Sequence, residues 1–112
     1  MLGNILKYIR VCNNYSVKQV SNSINIVSTY ICDIENNRKK SSFDMLYKFA
    51  DCYNIEASKI IYFEELEKMG KSRKEILKEV LEYYIEKENV KNFKKIKVYE
   101  MYTFFNKKNV CT

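Results

Sequence analysis

At 112 residues with 46% hydrophobic content, the chain can bury one small core, or a compact domain of about 60 residues with an appendage, but not two full cores. Two glycines and no proline leave strand-and-turn architectures without their punctuation, so the expected class is all-α. A net charge of +6 with no histidine favours an anionic partner and removes the commonest general base from any catalytic scheme.

The first predicted helix runs from about Leu2 to Cys12, with Leu2, Ile5, Leu6 and Ile9 as one stripe, and the pair Asn13-Asn14 ends it. Ser16 can cap a second helix whose apolar positions Val20 and Ile24 lie four apart on one side. Asn25 tolerates the left-handed conformation that a sharp turn needs. Ser28 is then expected to cap a third helix, with Ile31 and Ile34 turned inward and Thr29, Cys32, Asp33 and Asn36 on the opposite, outward face. Two short helices around one sharp turn give the spacing by which a helix-turn-helix presents its second helix to DNA.

A polar, basic loop follows: Asn36, Asn37, Arg38, Lys39, Lys40, Ser41 and Ser42. Ser42 can cap a fourth helix in which Phe43, Leu46, Phe49 and Ala50 repeat at helical spacing. Ile55, Ile60 and Ile61 are expected to close the core in a short fifth helix beginning near Glu56. Gly70 reads as a helix stop, and Ser72 with Glu75 as a capping box. A further helix starts at Arg73 with the apolar stripe Ile76, Leu77, Val80, Leu81, Tyr84 and Ile85. A break is expected near Asn89 to Asn92. The last segment, 93 to 105, is read as a helix, although the alternation around Ile96 and Val98 also admits a strand.

Charge is uneven along the chain: residues 1 to 62 carry net +3, residues 63 to 90 net −2 and residues 91 to 112 net +5. The four cysteines include no C-x-x-C pair, so no metal and no cofactor is expected, and Cys12 and Cys52 read as small apolar residues on helix faces. With no glycine-rich phosphate loop and no nucleophile beside an identifiable base, the chain is not expected to be an enzyme. Most of the ten tyrosines sit at core spacing and read as packing residues rather than as stacking platforms for single strands. No stretch approaches the roughly 20 apolar residues that span a bilayer, and the N-terminus lacks the pattern of a signal peptide. The expectation is a cytoplasmic protein with no membrane partner.

From about Leu2 to Ile61 the sequence resembles the Xre family of helix-turn-helix regulators, to which the Cro and cI repressors belong. The matching residues are the opening stripe Leu2, Ile5, Leu6 and Ile9 with Arg10; Ser16 and Val20; Tyr30-Ile31 and Ile34-Glu35; and Leu46, Lys48 and Ala50. The family usually carries Ala, Gly, Gly and Pro where this chain has Ser21, Asn25, Asn37 and Ser41. Both asparagines keep left-handed access, whereas the Ser21 hydroxyl, at a close contact between helices, must find a backbone acceptor. The resemblance implies a five-helix Cro/cI-type DNA-binding domain over residues 1 to 63, followed by a C-terminal helical hairpin over residues 64 to 112 for dimerisation or interaction. It also implies that Arg10 and Glu35 form a structural ion pair between the first helix and the end of the third.

Functional expectations follow from these positions. Ser28, Thr29 and Asp33 are placed to meet base edges in the major groove, the hydroxyls as donors or acceptors and the carboxylate as an acceptor from cytosine. Lys18, Asn36, Arg38, Lys39 and Lys40 flank them as phosphate contacts. The stripe Leu77, Val80, Leu81 and Tyr84 is assigned to a homodimer contact, since one motif covers too little double-stranded DNA for tight specific binding. The expected function is therefore a homodimeric, sequence-specific transcriptional regulator of repressor type. The competing reading is a protein-interaction module, such as an antitoxin or antagonist, that captures a protein partner through its C-terminal helices.

Overall fold

The computed structural model describes residues 2–88, and within them it is all-helical. Six helices follow in order: α1 (Leu2–Cys12), α2 (Val17–Ile24), α3 (Ser28–Glu35), α4 (Phe43–Cys52), α5 (Ala57–Lys68) and α6 (Arg73–Glu88). No strand is present among the described residues, and none of their helices is long and apolar enough to cross a membrane. The expected break at 89 to 92 and the segment 93 to 105 lie outside the described residues.

Each of the five turns between these helices contains one left-handed residue. Asn14, Asn25, Asn37 and Asn54 take φ between 51° and 61°, and Gly70 takes φ 92°. Asparagine enters this region at lower cost than other side chains bearing a Cβ, and this is how a chain with so little glycine and no proline turns sharply five times. Ser16 caps α2 by accepting from the Gln19 amide at 3.1 Å while the Gln19 side chain accepts from the Ser16 amide at 2.7 Å. Ser42 caps α4 through the Met45 amide at 3.2 Å. Ser72 and Glu75 make the reciprocal box that opens α6. The Ser21 hydroxyl finds its acceptor in the Ile26 carbonyl at 2.6 Å, which draws the α2–α3 turn back onto α2.

One core joins all six helices. α1 lies at its centre, packed on α3, α5 and α6, while α2 packs on α3 and α4. Ile5, Leu6 and Ile9 from α1, Val20, Ile31, Phe49, Ile60 and Phe63 are fully buried. Several expectations are corrected here. Phe43 is 79% exposed and Ile61 38% exposed, because both lie on the outer arcs of their helices, away from the core. Ser28 does not cap α3; Val27 occupies that position and supplies no side-chain hydrogen bond. The fifth helix is not short: α5 continues across the expected boundary after residue 63 to Lys68.

The largest correction concerns α6. Leu77, Val80, Leu81 and Tyr84, assigned above to a dimer contact, are between 0% and 3% exposed within a single chain. α6 returns onto α1 and α5, so its stripe completes the core and residues 73–88 are not a separate hook. Tyr84 locks this return by donating its hydroxyl to the Tyr53 carbonyl at 2.6 Å, and Lys87 donates to the Asn54 carbonyl at 2.6 Å.

Tyr53 itself is fully buried, stacked between Tyr15 and Phe49, and its hydroxyl has no hydrogen-bond partner among the described residues. Burial, reinforced by the field of Glu35, raises its pKa well above the usual tyrosine value. An unpaired buried hydroxyl costs about 1–3 kcal/mol of desolvation. Tyr53→Phe should therefore leave stability unchanged or raise it by up to about 1 kcal/mol, whereas Tyr84→Phe should lower it by about 1 kcal/mol. Urea unfolding midpoints at constant slope measure both.

Candidate nucleic-acid interface

The position of α3 is set by its two ends. At its C-terminal end, Arg10 Nε donates to Glu35 Oε2 at 2.7 Å and Nη2 donates to Oε1 at 3.0 Å, a two-pronged pair with both side chains at or below 4% exposure. The third nitrogen, Nη1, donates to the Tyr15 carbonyl at 2.9 Å. One guanidinium thus ties α1, the turn into α2 and the end of α3 together. Lys7 is buried in the same region; burial lowers the pKa of its ammonium, with Glu35 pulling the other way.

Beside the pair, α1 begins almost in contact with the end of α3. A Cβ at Gly3 would collide with the Ile34 carbonyl oxygen and the Asn37 side chain, so only glycine fits there. Asn37 then works twice. Its left-handed backbone reverses the chain, while its side chain accepts from the Gly3 amide at 3.1 Å and donates to Asn4 Oδ1 at 2.9 Å. Asn4 continues the chain of bonds to Glu67 on α5 at 3.0 Å. The loop leaving α3 is therefore anchored at its first bend, and the cations that follow are carried on a fixed base.

Of the expected base-contacting residues, Thr29 is exposed, while Ser28 and Asp33 are half-buried. Val27, one residue earlier and 66% exposed, adds an apolar side chain that sequence reading missed. The Asp33 carboxylate is already engaged, by Arg38 Nε at 3.1 Å and Lys39 Nζ at 3.8 Å. Its backbone carbonyl accepts from the amides of the same two residues at 2.8 and 3.2 Å. Asp33 thus wraps the loop around the end of α3. Ion pairs as exposed as these contribute only about 0–1 kcal/mol each, so they exchange readily for another anion.

The expected phosphate contacts divide similarly. Lys18, Arg38, Lys39 and Lys40 are exposed and Asn36 is half-buried, with Lys39 Nζ 4.7 Å from the centre of the Tyr30 ring. Lys18 lies on α2 and the other four on the stretch leaving α3, so α3 is flanked on both sides by donors. Cys32, expected on the outward face, is half-buried against the core. Gln19 and Gly3 carry signals that could have been read: Gln19 three residues after Ser16 completes a capping box, and Gly3 inside a predicted helix marks a close approach.

Removing Arg10 takes the two-pronged partner from the buried Glu35 carboxylate and leaves the field of Lys7 beside it. Arg10→Met should cost about 3–5 kcal/mol, and the double change Arg10→Met with Glu35→Leu should cost less, because the carboxylate goes with the guanidinium, the remainder reflecting Lys7, which loses its Glu35 counter-charge. Denaturant titration of both variants checks this, and equal losses would mean that the pair is not what holds α3. Compared with protein-family models, with curated proteins and with solved structures, the chain matches none of them.

Proposed function

We propose that the protein is a sequence-specific DNA-binding transcriptional regulator of repressor type, working as a homodimer with α3 in the major groove of double-stranded DNA. The observation that carries this reading is the division of α3 into two faces. Ile31, Ile34 and Glu35 are held in the core, while Thr29 and Val27 stand exposed and three consecutive cations follow on an anchored loop. Thr29 and Ser28 supply hydroxyls for base edges, and Val27 supplies an apolar contact of the kind a thymine methyl accepts. Lys18, Asn36, Arg38, Lys39 and Lys40 fix register on the phosphates without reading sequence.

Asp33 gives this interface a particular character. When DNA arrives, Arg38 and Lys39 exchange the carboxylate for phosphate, and the carboxylate is left beside the backbone as a repulsive charge or turned to a cytosine amino group. Both routes lower affinity for DNA in general and leave base readout a larger share of binding. An eight-residue α3 covers one half-site, so two copies spaced by a helical turn on a near-palindrome are required for tight binding. A protein-capture module would need an exposed apolar hook on its C-terminal helices, and among the described residues the α6 stripe is not one, since it is consumed by the core.

The deciding experiment titrates the full chain against labelled duplex from its own promoter and against scrambled duplex, at several salt concentrations. Tighter binding to the promoter, with affinity falling steeply as salt rises, is expected; binding without salt dependence or without preference would overturn the reading. Within that assay, Arg38→Ala with Lys39→Ala should weaken all duplexes alike and lower the salt slope by about one unit per lost phosphate contact. Asp33→Asn should act in the opposite direction on scrambled DNA. Thr29→Ala should cost on the order of 1 kcal/mol on promoter DNA and little on scrambled sequence; equal losses on both would reassign Thr29 to backbone positioning.

A further inference from the structure

The outer face of α4 carries a pattern that neither the core nor the DNA-facing surface uses. Phe43 is 79% and Tyr47 60% exposed, four residues apart and therefore neighbours on one edge of the helix. Asp44 and Lys48, also exposed and also four apart, form the other edge. Neither makes an ion pair among the described residues. With Asp51, these positions cover an arc of about 140° at 3.6 residues per turn, opposite the arc that buries Leu46, Phe49 and Ala50.

We propose that this face of α4 docks against the same face of a second copy of the chain, antiparallel about a two-fold axis, and that this contact forms the homodimer. The proposal supplies the dimer that the DNA-binding reading requires and that the buried α6 stripe cannot provide. A two-fold contact needs a surface complementary to itself. In an antiparallel helix pair each edge meets its own counterpart running the other way. The aromatic edge then sets Phe43 against the partner's Tyr47, and the charged edge sets Asp44 against the partner's Lys48. Each contact occurs twice. A face built for an unrelated partner has no reason to match itself in both sign of charge and register.

The area is small. Aromatic side chains bury about 150–250 Å² each, so four rings at these exposures contribute on the order of 500 Å², below the ~1,200 Å² of stable complexes. The free dimer is weak, and two copies held on one duplex strengthen it through effective concentration. α4 begins directly after the basic loop, so dimer and DNA contacts adjoin and reinforce each other.

The test is sedimentation equilibrium of the full chain without DNA, up to about 1 mM, so that a failure of dimerisation and a failure of DNA binding are read separately. The wild type should show a monomer–dimer equilibrium. Asp44→Lys alone and Lys48→Asp alone should each raise the dissociation constant more than about tenfold, because each sets two like-charge pairs face to face. An equimolar mixture of these two variants should dimerise again, since every contact across the mixed pair is then between opposite charges. The chain carrying both changes should also dimerise. Phe43→Ser with Tyr47→Ser should abolish association at unchanged helical circular dichroism. A wild type that stays monomeric throughout, single charge variants that associate like the wild type, or a mixture that fails to recover would each overturn the proposal.

Discussion

The placement of α3 and of the basic loop that follows it depends on one buried interaction, the two-pronged pair of Arg10 and Glu35. Burying two charges is expensive, and such pairs contribute little net stability compared with well-packed apolar side chains. Their effect lies in direction. Guanidinium and carboxylate meet in a fork geometry that admits very few arrangements, and the remaining arm of Arg10 holds the Tyr15 carbonyl. The start of α2 and the end of α3 are therefore referred to the same point on α1. Gly3 and Asn37 give the same junction a steric limit, since α1 can approach α3 this closely only without a Cβ. Hydrophobic packing of Ile31 and Ile34 alone would leave α3 free to slide or rotate by small amounts; the polar junction removes that freedom.

The turn chemistry shows why much of this fold was legible in the sequence. Helix starts at Ser16, Ser42 and Ser72, the reversal at Asn25 and the stop at Gly70 each follow from one or two residues whose local chemistry admits few alternatives. Asn14 and Asn54 were equally readable once asparagine was treated as this chain's substitute for glycine. The α3 start was misplaced because Ser28 is a good cap by composition, yet the chain runs from Asn25 through Ile26 and an extended Val27 before the helix begins at Ser28. Phe43 and Ile61 were misassigned for a related reason: helical periodicity finds an apolar arc but does not say which residue at its margin is turned out.

The candidate site was legible in position and less so in electrostatics. Thr29, Arg38, Lys39 and Lys40 stand exposed around α3, and all were named from spacing. The engagement of Asp33 with Arg38 and Lys39 was not foreseen, because the loop folds back by five residues through backbone bonds to the Asp33 carbonyl, a reversal that depends on Asn37 and not on any helical period. The α6 stripe failed for a different physical reason. An apolar stripe records that a helix face is buried without recording against what, and a sequence cannot distinguish burial by a second copy from burial by its own α1 and α5. Tyr84 reaching the Tyr53 carbonyl decides that question in favour of the chain's own core.

Once α6 is assigned to the core, the division of labour among the helices changes. α1, α5 and α6 support the junction that holds α3, and the outer faces proposed to meet DNA or a second copy belong to α2, α3 and α4. These three are consecutive, and α3 and α4 share the anchored loop 36–42. A base contact made by Thr29, a phosphate contact made by Arg38 and an association through Phe43 would therefore all act on one short length of chain. Rigid coupling over so few residues requires that the loop not absorb displacement, and the bonds from Asn37 to Gly3 and Asn4 and from Arg38 to Asp33 hold it from both sides. The Asp33 bond is the exposed one of the two, and under the proposed DNA binding it is the one that would exchange for phosphate. The Asn37 bonds are half-buried, so the loop would release its cations to an anionic partner while keeping the register between α3 and α4.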